Sequence, residues 1–272
     1  MFLKYDEFKD RLNEKIKSGK DFYLELLMTV IDNPSRYCGL FRLSNAKTKL
    51  IQNVTQSIEI KFGDFMEELV TLYISMLGYT NESKDLGCDQ NGDRLSADQV
   101  FLLDNTIYLV EQKIRDDHDS TKKRGQYSNF EKKVALIKLQ HPNMHLNASM
   151  WFIDDGLVKN KNYYLQEMSN SIHEDTELHL YYGNEFFDSL NGGKEAWQEI
   201  ISFLRRNRME NSTEIFTIPD FGTSQEIYEA LLKLPEKYWK KLLSNDTKYE
   251  LLVQEMFCTG DNLEKAKKVL NL

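Results

Sequence analysis

The sequence predicts a mixed α/β (α+β) fold: a central mixed β-sheet flanked by helices, with helical additions at both ends. Three observations predict it. Residues 97–113 carry two apolar runs, 99–103 and 106–110, about a polar Asp104-Asn105 pair, the signature of a β-hairpin. Apolar residues recur at helical spacing over 63–77, before the hairpin, and over 121–139, after it. A continuous apolar stretch at 147–153 then completes a strand–helix–strand order, which implies a right-handed crossover and a partly parallel sheet.

The hairpin register follows from its turn. With Asp104 and Asn105 at the tip, Leu102 faces Ile107, Val100 faces Leu109 and Asp98 faces Glu111. Side chains alternate faces along a strand, so Lys113 shares the face of Glu111. The opposite face, Phe101, Leu103, Tyr108 and Val110, is also apolar, so the hairpin should be covered on both sides. Opposed residues have Cβ atoms roughly 5 Å apart, and two facing carboxylates at that distance repel. A divalent cation between Asp98 and Glu111 would remove that cost, and an all-oxygen donor pair suits Mg²⁺. The plain alternative is a hairpin end whose charges are solvated and whose Lys113 neutralises Glu111.

The remaining elements follow in chain order. Tyr5, Phe8, Leu12 and Ile16 are helically spaced over 4–18, and a denser apolar pattern over 21–32 is broken by Asn33-Pro34-Ser35. Residues 46–58 are ambiguous. The stripe over 63–77 (Phe65, Met66, Leu69, Val70, Leu72, Tyr73, Met76 and Leu77) is wide enough for a mostly buried helix, and Gly78 follows as its stop. Of Glu67 and Glu68 inside it, one is expected to face solvent and the other to approach the sheet. A short strand is expected near 86–88. Asp116-Asp117-His118-Asp119 reads as a loop ending in the N-cap of the next helix, in preference to a metal cluster. That helix, 121–139, opens with Thr121-Lys-Lys-Arg-Gly-Gln126, whose backbone N–H groups and cations would suit a phosphate. A strand at 176–182 and a helix at 193–207 come next. Asp220-Phe221-Gly222 matches a kinase tripeptide, but no Gly-rich nucleotide loop precedes it. Thr223 to Glu226 has capping-box spacing and opens a helical C-terminal part interrupted at Pro235 and Gly260. The expected organisation is a helical region 1–60, an α/β core 61–210 and a helical region 211–272.

Composition bounds the function classes. Three widely separated cysteines with no C-x-x-C pair exclude a zinc ribbon or disulfide framework and point to a reduced, cytoplasmic protein. No apolar run is long enough to span a membrane, and the N-terminus lacks the apolar core of a signal peptide. The net charge is −8, yet residues 111–140 hold eight Lys/Arg against five acids. That local basic segment fits a phosphate-binding cleft. It equally fits a solvated helix face.

A helix with a buried acid, then a hairpin carrying Asp98 and Glu111-Gln112-Lys113, then helix and strand, resembles the PD-(D/E)xK nuclease superfamily and, within it, the type II restriction endonucleases. Gly63-Asp-Phe-Met-Glu67 followed by Gly78-Tyr79 looks like that family's first helix. Lys122-Lys-Arg-Gly-Gln126 is similar to the polar helix that often follows its lysine. The likeness covers about 60–182, and Ala97 stands where the family often has proline. It implies a restriction-endonuclease-like core making Mg²⁺-dependent, sequence-specific double-strand cuts in DNA. Asp98 and Glu111 would hold the metal, Lys113 and Glu67 would complete the catalytic set, and Lys122, Lys123, Arg124 and Gln126 would hold the DNA backbone. Double-stranded DNA is the implied partner and a homodimer the default assembly, since cutting both strands of a symmetric site commonly uses two centres. Two other readings remain: a structure-specific repair nuclease or resolvase of the same fold, and a non-catalytic DNA-binding protein, which the acidic charge and helical C-terminal part would suit.

Overall fold

A computed structural model describes residues 1–16, 22–171, 173–210 and 218–272. In chain order its elements are helices α1 (Tyr5–Ile16), α2 (Phe22–Asp32), α3 (Pro34–Cys38) and α4 (Ala46–Met76), then strands β1 (Thr80–Asn81), β2 (Asp85–Cys88), β3 (Arg94–Ser96), β4 (Gln99–Leu103) and β5 (Thr106–Lys113). After these come α5 (Ser120–Gln140), β6 (His145–Phe152), α6 (Lys161–Asn170), β7 (Thr176–Tyr182), α7 (Glu185–Asp188) and α8 (Gly193–Glu210). The chain closes with α9 (Gln225–Leu232), α10 (Glu236–Leu242), α11 (Thr247–Met256) and α12 (Asn262–Leu270).

Two compact units result. The first comprises 1–8 and 63–207, the second 9–62 and 208–272. In the first, five strands form one mixed sheet in the order β1-β4-β5-β6-β7, and β2 and β3 form a separate two-stranded ribbon. The pairs β1/β4 and β4/β5 are antiparallel, whereas β5/β6 and β6/β7 are parallel. The hairpin has the expected register, with Val100 opposite Leu109 and Leu102 opposite Ile107. Asp104 takes φ 53°, a left-handed conformation that Asp tolerates in tight turns.

Both sheet faces are covered, which explains why β5 and β6 read as nearly continuous apolar runs. On one face Val100, Ile107, Leu109, Ala148, Met150 and Phe152 pack with Tyr127, Phe130, Val134 and Ile137 of α5 and Tyr164 of α6. On the other, Phe101 stacks on Tyr108, and Trp151 meets Phe186, Phe187 and Trp197 at ring-centroid distances of 4.6–5.8 Å.

The second unit has its own core, built from Leu27, Val30 and Ile31 of α2, Tyr37 of α3, Leu50 and Val54 of α4, and apolar residues of α9 to α12 such as Leu231, Trp239, Leu252 and Ala266. The ambiguous segment 46–58 is the first half of the continuous helix α4, so the helix expected over 63–77 is its final turns. Gly78, at φ 89°, stops it: the Gly78 N–H bonds to the Ser75 carbonyl and that of Tyr79 to Ile74. One boundary differs at α9. Its N-cap is Ser224, whose hydroxyl accepts from the Ile227 N–H, and not Thr223, whose own hydroxyl bonds Asp220. Residues 17, 18 and 21, at the ends of the two expected N-terminal helices, lie outside the described residues.

Candidate active site

The sequence puts Asp98 one residue before β4, where the ladder to β5 ends at the Gln99–Val110 pair. Its side chain continues the ladder: Oδ2 accepts the Gln112 N–H at 2.7 Å, a bond a strand carbonyl would otherwise make. Glu111 and Lys113 stand on the β5 face that looks toward α5. Lys113 Nζ lies 2.9 Å from Asp98 Oδ2, 2.8 Å from Glu111 Oε1 and 2.9 Å from the Gln112 carbonyl. One ammonium therefore joins both carboxylates, and the three predicted side chains meet at one point.

Lys133, one of the eight cations of residues 111–140, is the fourth member. It is buried on α5, and its ammonium bonds the other Glu111 oxygen, Oε2. A signal for it exists in the sequence: position 133 is three residues after Phe130 and four before Ile137, which places it on the buried stripe of α5.

The charges of this cluster set its protonation. Burial pushes the Asp98 carboxyl up and the Glu111 charge adds to this, while Lys113 offsets only part, so Asp98 sits above the usual aspartate range. Burial also opposes ionisation of Glu111, but Lys113 and Lys133 together reverse that and hold it below its usual range. For the Lys113 ammonium, burial works against the charge and the two carboxylates overcome it, holding it well above the ordinary lysine value. Asp98 is thus the carboxylate short of positive charge.

The Glu67 carboxylate pairs with Lys84 at 2.7 Å and not with Lys113. What Glu67 gives the site is its backbone. Its carbonyl accepts from Gln99 Nε2 at 2.8 Å, and Gln99, fully buried, also reaches Gln112 Oε1 at 3.4 Å and accepts from the Thr71 hydroxyl. The relay fixes α4 against the strand ends. Glu68 is exposed.

An open pocket on the α5 side is lined by Glu111, Lys113, Gly125, Gln126, Ser128, Asn129 and Lys132. Of the expected backbone-holding residues, only Gln126 lines it, its side-chain oxygen accepting from the Tyr164 hydroxyl. Lys122 and Arg124 are exposed, and Lys123 lies over the Tyr163 ring, 4.5 Å from its centre. Two backbone donors of the first α5 turn are already taken: Asp119 caps the helix, its carboxylate accepting the N–H groups of Thr121 and Lys122. The preceding acid, Asp116, is buried and accepts from the Asn160 N–H and side-chain amide and the Tyr182 hydroxyl. The 116–119 segment is therefore a hydrogen-bonded loop and cap, as its composition suggested.

Among the described residues, no group of three or more His, Cys, Asp and Glu side chains is placed to hold a metal. The candidate is a pair, Asp98 and Glu111. The donor chemistry fits a hard cation: two carboxylates and the Gln112 carbonyl already converge on one positive charge, the Lys113 ammonium. The free cysteines are Cys38, buried, and Cys88 and Cys258, exposed. No described helix is long and apolar enough to cross a membrane.

A family model described as "Type II restriction endonuclease, HinfI" matches the chain in two overlapping segments, residues 4–91 and 75–207. No curated protein and no solved structure matches it.

Proposed function

Because the chain belongs to the HinfI family of type II restriction endonucleases, we propose that it makes Mg²⁺-dependent, sequence-specific double-strand cuts in DNA and that Asp98, Glu111 and Lys113 are its hydrolytic centre. The observation that carries this reading is the bridging ammonium, with Lys113 Nζ within 2.9 Å of both carboxylates at one end of the hairpin.

Phosphodiester hydrolysis needs an oriented water, relief of charge on the phosphorus oxygens and support for the departing alkoxide. Asp98 and Glu111 would hold Mg²⁺, which when bound supplies polarisation of a phosphate oxygen and a lowered pKa for water. Lys113 would orient the attacking water and stabilise the negative charge that develops in the transition state. Lys133, through Glu111 Oε2, holds that carboxylate in one orientation. Gln126 offers its amide N–H groups at the pocket, and Lys122, Lys123 and Arg124 would engage the sugar–phosphate backbone, contacts that position DNA without reading it. Glu67 supports the centre through the Gln99–Gln112 relay and not by direct contact with Lys113. The active form is proposed to be a homodimer, one centre per strand.

Digestion of unmethylated plasmid DNA in Mg²⁺ tests the reading. Wild-type protein should give a small set of discrete fragments, and Lys113→Ala should cut about 10²–10³-fold more slowly, the usual cost of removing one transition-state donor. A smear independent of sequence, cutting restricted to branched DNA, or equal cutting by both proteins would sink it.

A further inference from the structure

We propose that the turn at 39–43, Gly39-Leu40-Phe41-Arg42-Leu43, is a wedge that inserts into duplex DNA, with its apolar side chains against the bases and Arg42 on an adjoining phosphate. This rests on the nuclease reading and adds to it a named segment that engages the bases.

Leu40, Phe41 and Leu43 are 91%, 96% and 107% exposed. A single exposed apolar residue is unremarkable, but three large ones within four positions form a patch. The segment is built to display them. On one side Tyr37 and Cys38 are buried in the core of the second unit, and on the other Ala46 and Leu50 are. Between these feet the Arg42 N–H closes a turn onto the Gly39 carbonyl at 2.9 Å. A Cβ on Gly39 would come within 2.4 Å of the Ser35 carbonyl oxygen, so only glycine permits the chain to leave α3 in this direction.

Charge identifies the occupant. Between Asp32 and Glu59 the chain has no acid but holds Arg36, Arg42, Lys47 and Lys49, in a protein of net charge −8. Two carboxylates approach from other elements. Asp220 takes Lys47 at 2.7 Å, and Glu255 accepts the Ala46 N–H. Arg36 and Lys49 bond only the neutral side chains of Asn53 and Gln52, so with Arg42 they pair with no carboxylate among the described residues. An apolar tip ringed by uncompensated cations suits a polyanion with stacked apolar surfaces inside it. Phe and Leu wedges entering between base steps are a known way to unstack and bend DNA. A second copy of the chain suits it less, because a two-fold contact sets the same patch against itself and would bring the cations of both copies together.

The test uses a short fluorescein-labelled duplex carrying the cut site mapped by run-off sequencing of a wild-type digest, with Ca²⁺ in place of Mg²⁺. A parallel series carries 2-aminopurine at successive positions. Wild-type protein should raise 2-aminopurine fluorescence at one step. Phe41→Ser should abolish that rise and weaken binding about tenfold, Leu43→Ser should weaken binding in the same direction, and Arg42→Gln should lower the slope of log affinity against log salt by about one. All three positions are exposed, and circular dichroism checks that each variant keeps the wild-type fold. Wild-type affinity and fluorescence in all three variants would overturn the wedge while leaving the nuclease reading intact. A wild type that neither binds nor cuts DNA would overturn both. Variants that bind DNA normally but lose self-association in sedimentation, or lose binding to phosphatidylserine vesicles, would overturn the wedge in favour of that other occupant.

Discussion

Lys133 and Lys113 divide one carboxylate between them, and this pairing sets what single substitutions should do. Glu111 is buried with an ammonium on each oxygen. Removing one partner of a buried ion pair leaves charge uncompensated, so Lys133→Met should cost about 3 kcal/mol in urea unfolding at neutral pH. A change within about 0.5 kcal/mol would show that the pair contributes nothing. Asp98, Glu111 and Lys113 were legible in the sequence because a two-residue turn fixes their register within sixteen positions of chain. Lys133 was marked only by its place on the buried stripe of α5, and its partner lies across a helix–sheet contact that no local pattern shows. Glu67 was legible as a residue near the site but not in its rotamer, which Lys84 decides.

At the level of elements, caps and anchors make the next predictions. Asp119 satisfies two N–H groups at the start of α5, the helix that carries Lys133 and Gln126. Asp119→Ala should cost about 1 kcal/mol in the same unfolding measurement. Asp220 receives the Lys47 ammonium, the Gly222 N–H and the Thr223 and Thr259 hydroxyls. Burial opposes its charge, but these bonds outweigh it and hold its pKa down to about 2, against 3.8 for a free side chain. A carboxyl depressed on folding stabilises fully above its unfolded value and loses that contribution as pH falls through its folded one. Asp220→Asn should therefore be less stable than wild type above pH 3.8, and the two should converge as pH drops toward 2. A constant gap across that window would contradict this origin. The types of the longer elements were readable from periodicity, whereas the short β1, β3 and α7 and the helix α6 were not anticipated. Where the reading was open, at 46–58, the helix is held by burial of Leu50 and Val54 against α2 and the C-terminal helices, which no window of local sequence contains.

For the molecule as a whole, the sequence order hides the architecture. The second unit draws on both ends of the chain, as the Lys241–Asp32 ion pair illustrates, and such long-range closure leaves no periodic signature. The first unit was readable because its sheet grows from a local hairpin followed by a strand–helix–strand connection. The proposed division of labour, a hydrolytic centre in the first unit and a base-engaging turn in the second, should appear as separable defects. Lys113→Ala should bind the cut site with wild-type affinity but fail to cut, whereas Phe41→Ser should bind weakly and cut at a near-normal rate when saturated. The central claim is that Asp98 and Glu111 form the metal-dependent centre. The most direct measurement is single-turnover cleavage of a plasmid carrying one site, titrated with Mg²⁺, for wild type, Asp98→Asn and Glu111→Gln. Cleavage that requires Mg²⁺, stops with EDTA and falls about 10²-fold or more in both variants is the predicted result. Cleavage by either variant at the wild-type rate and Mg²⁺ requirement, or wild-type cutting that persists in EDTA, would contradict it.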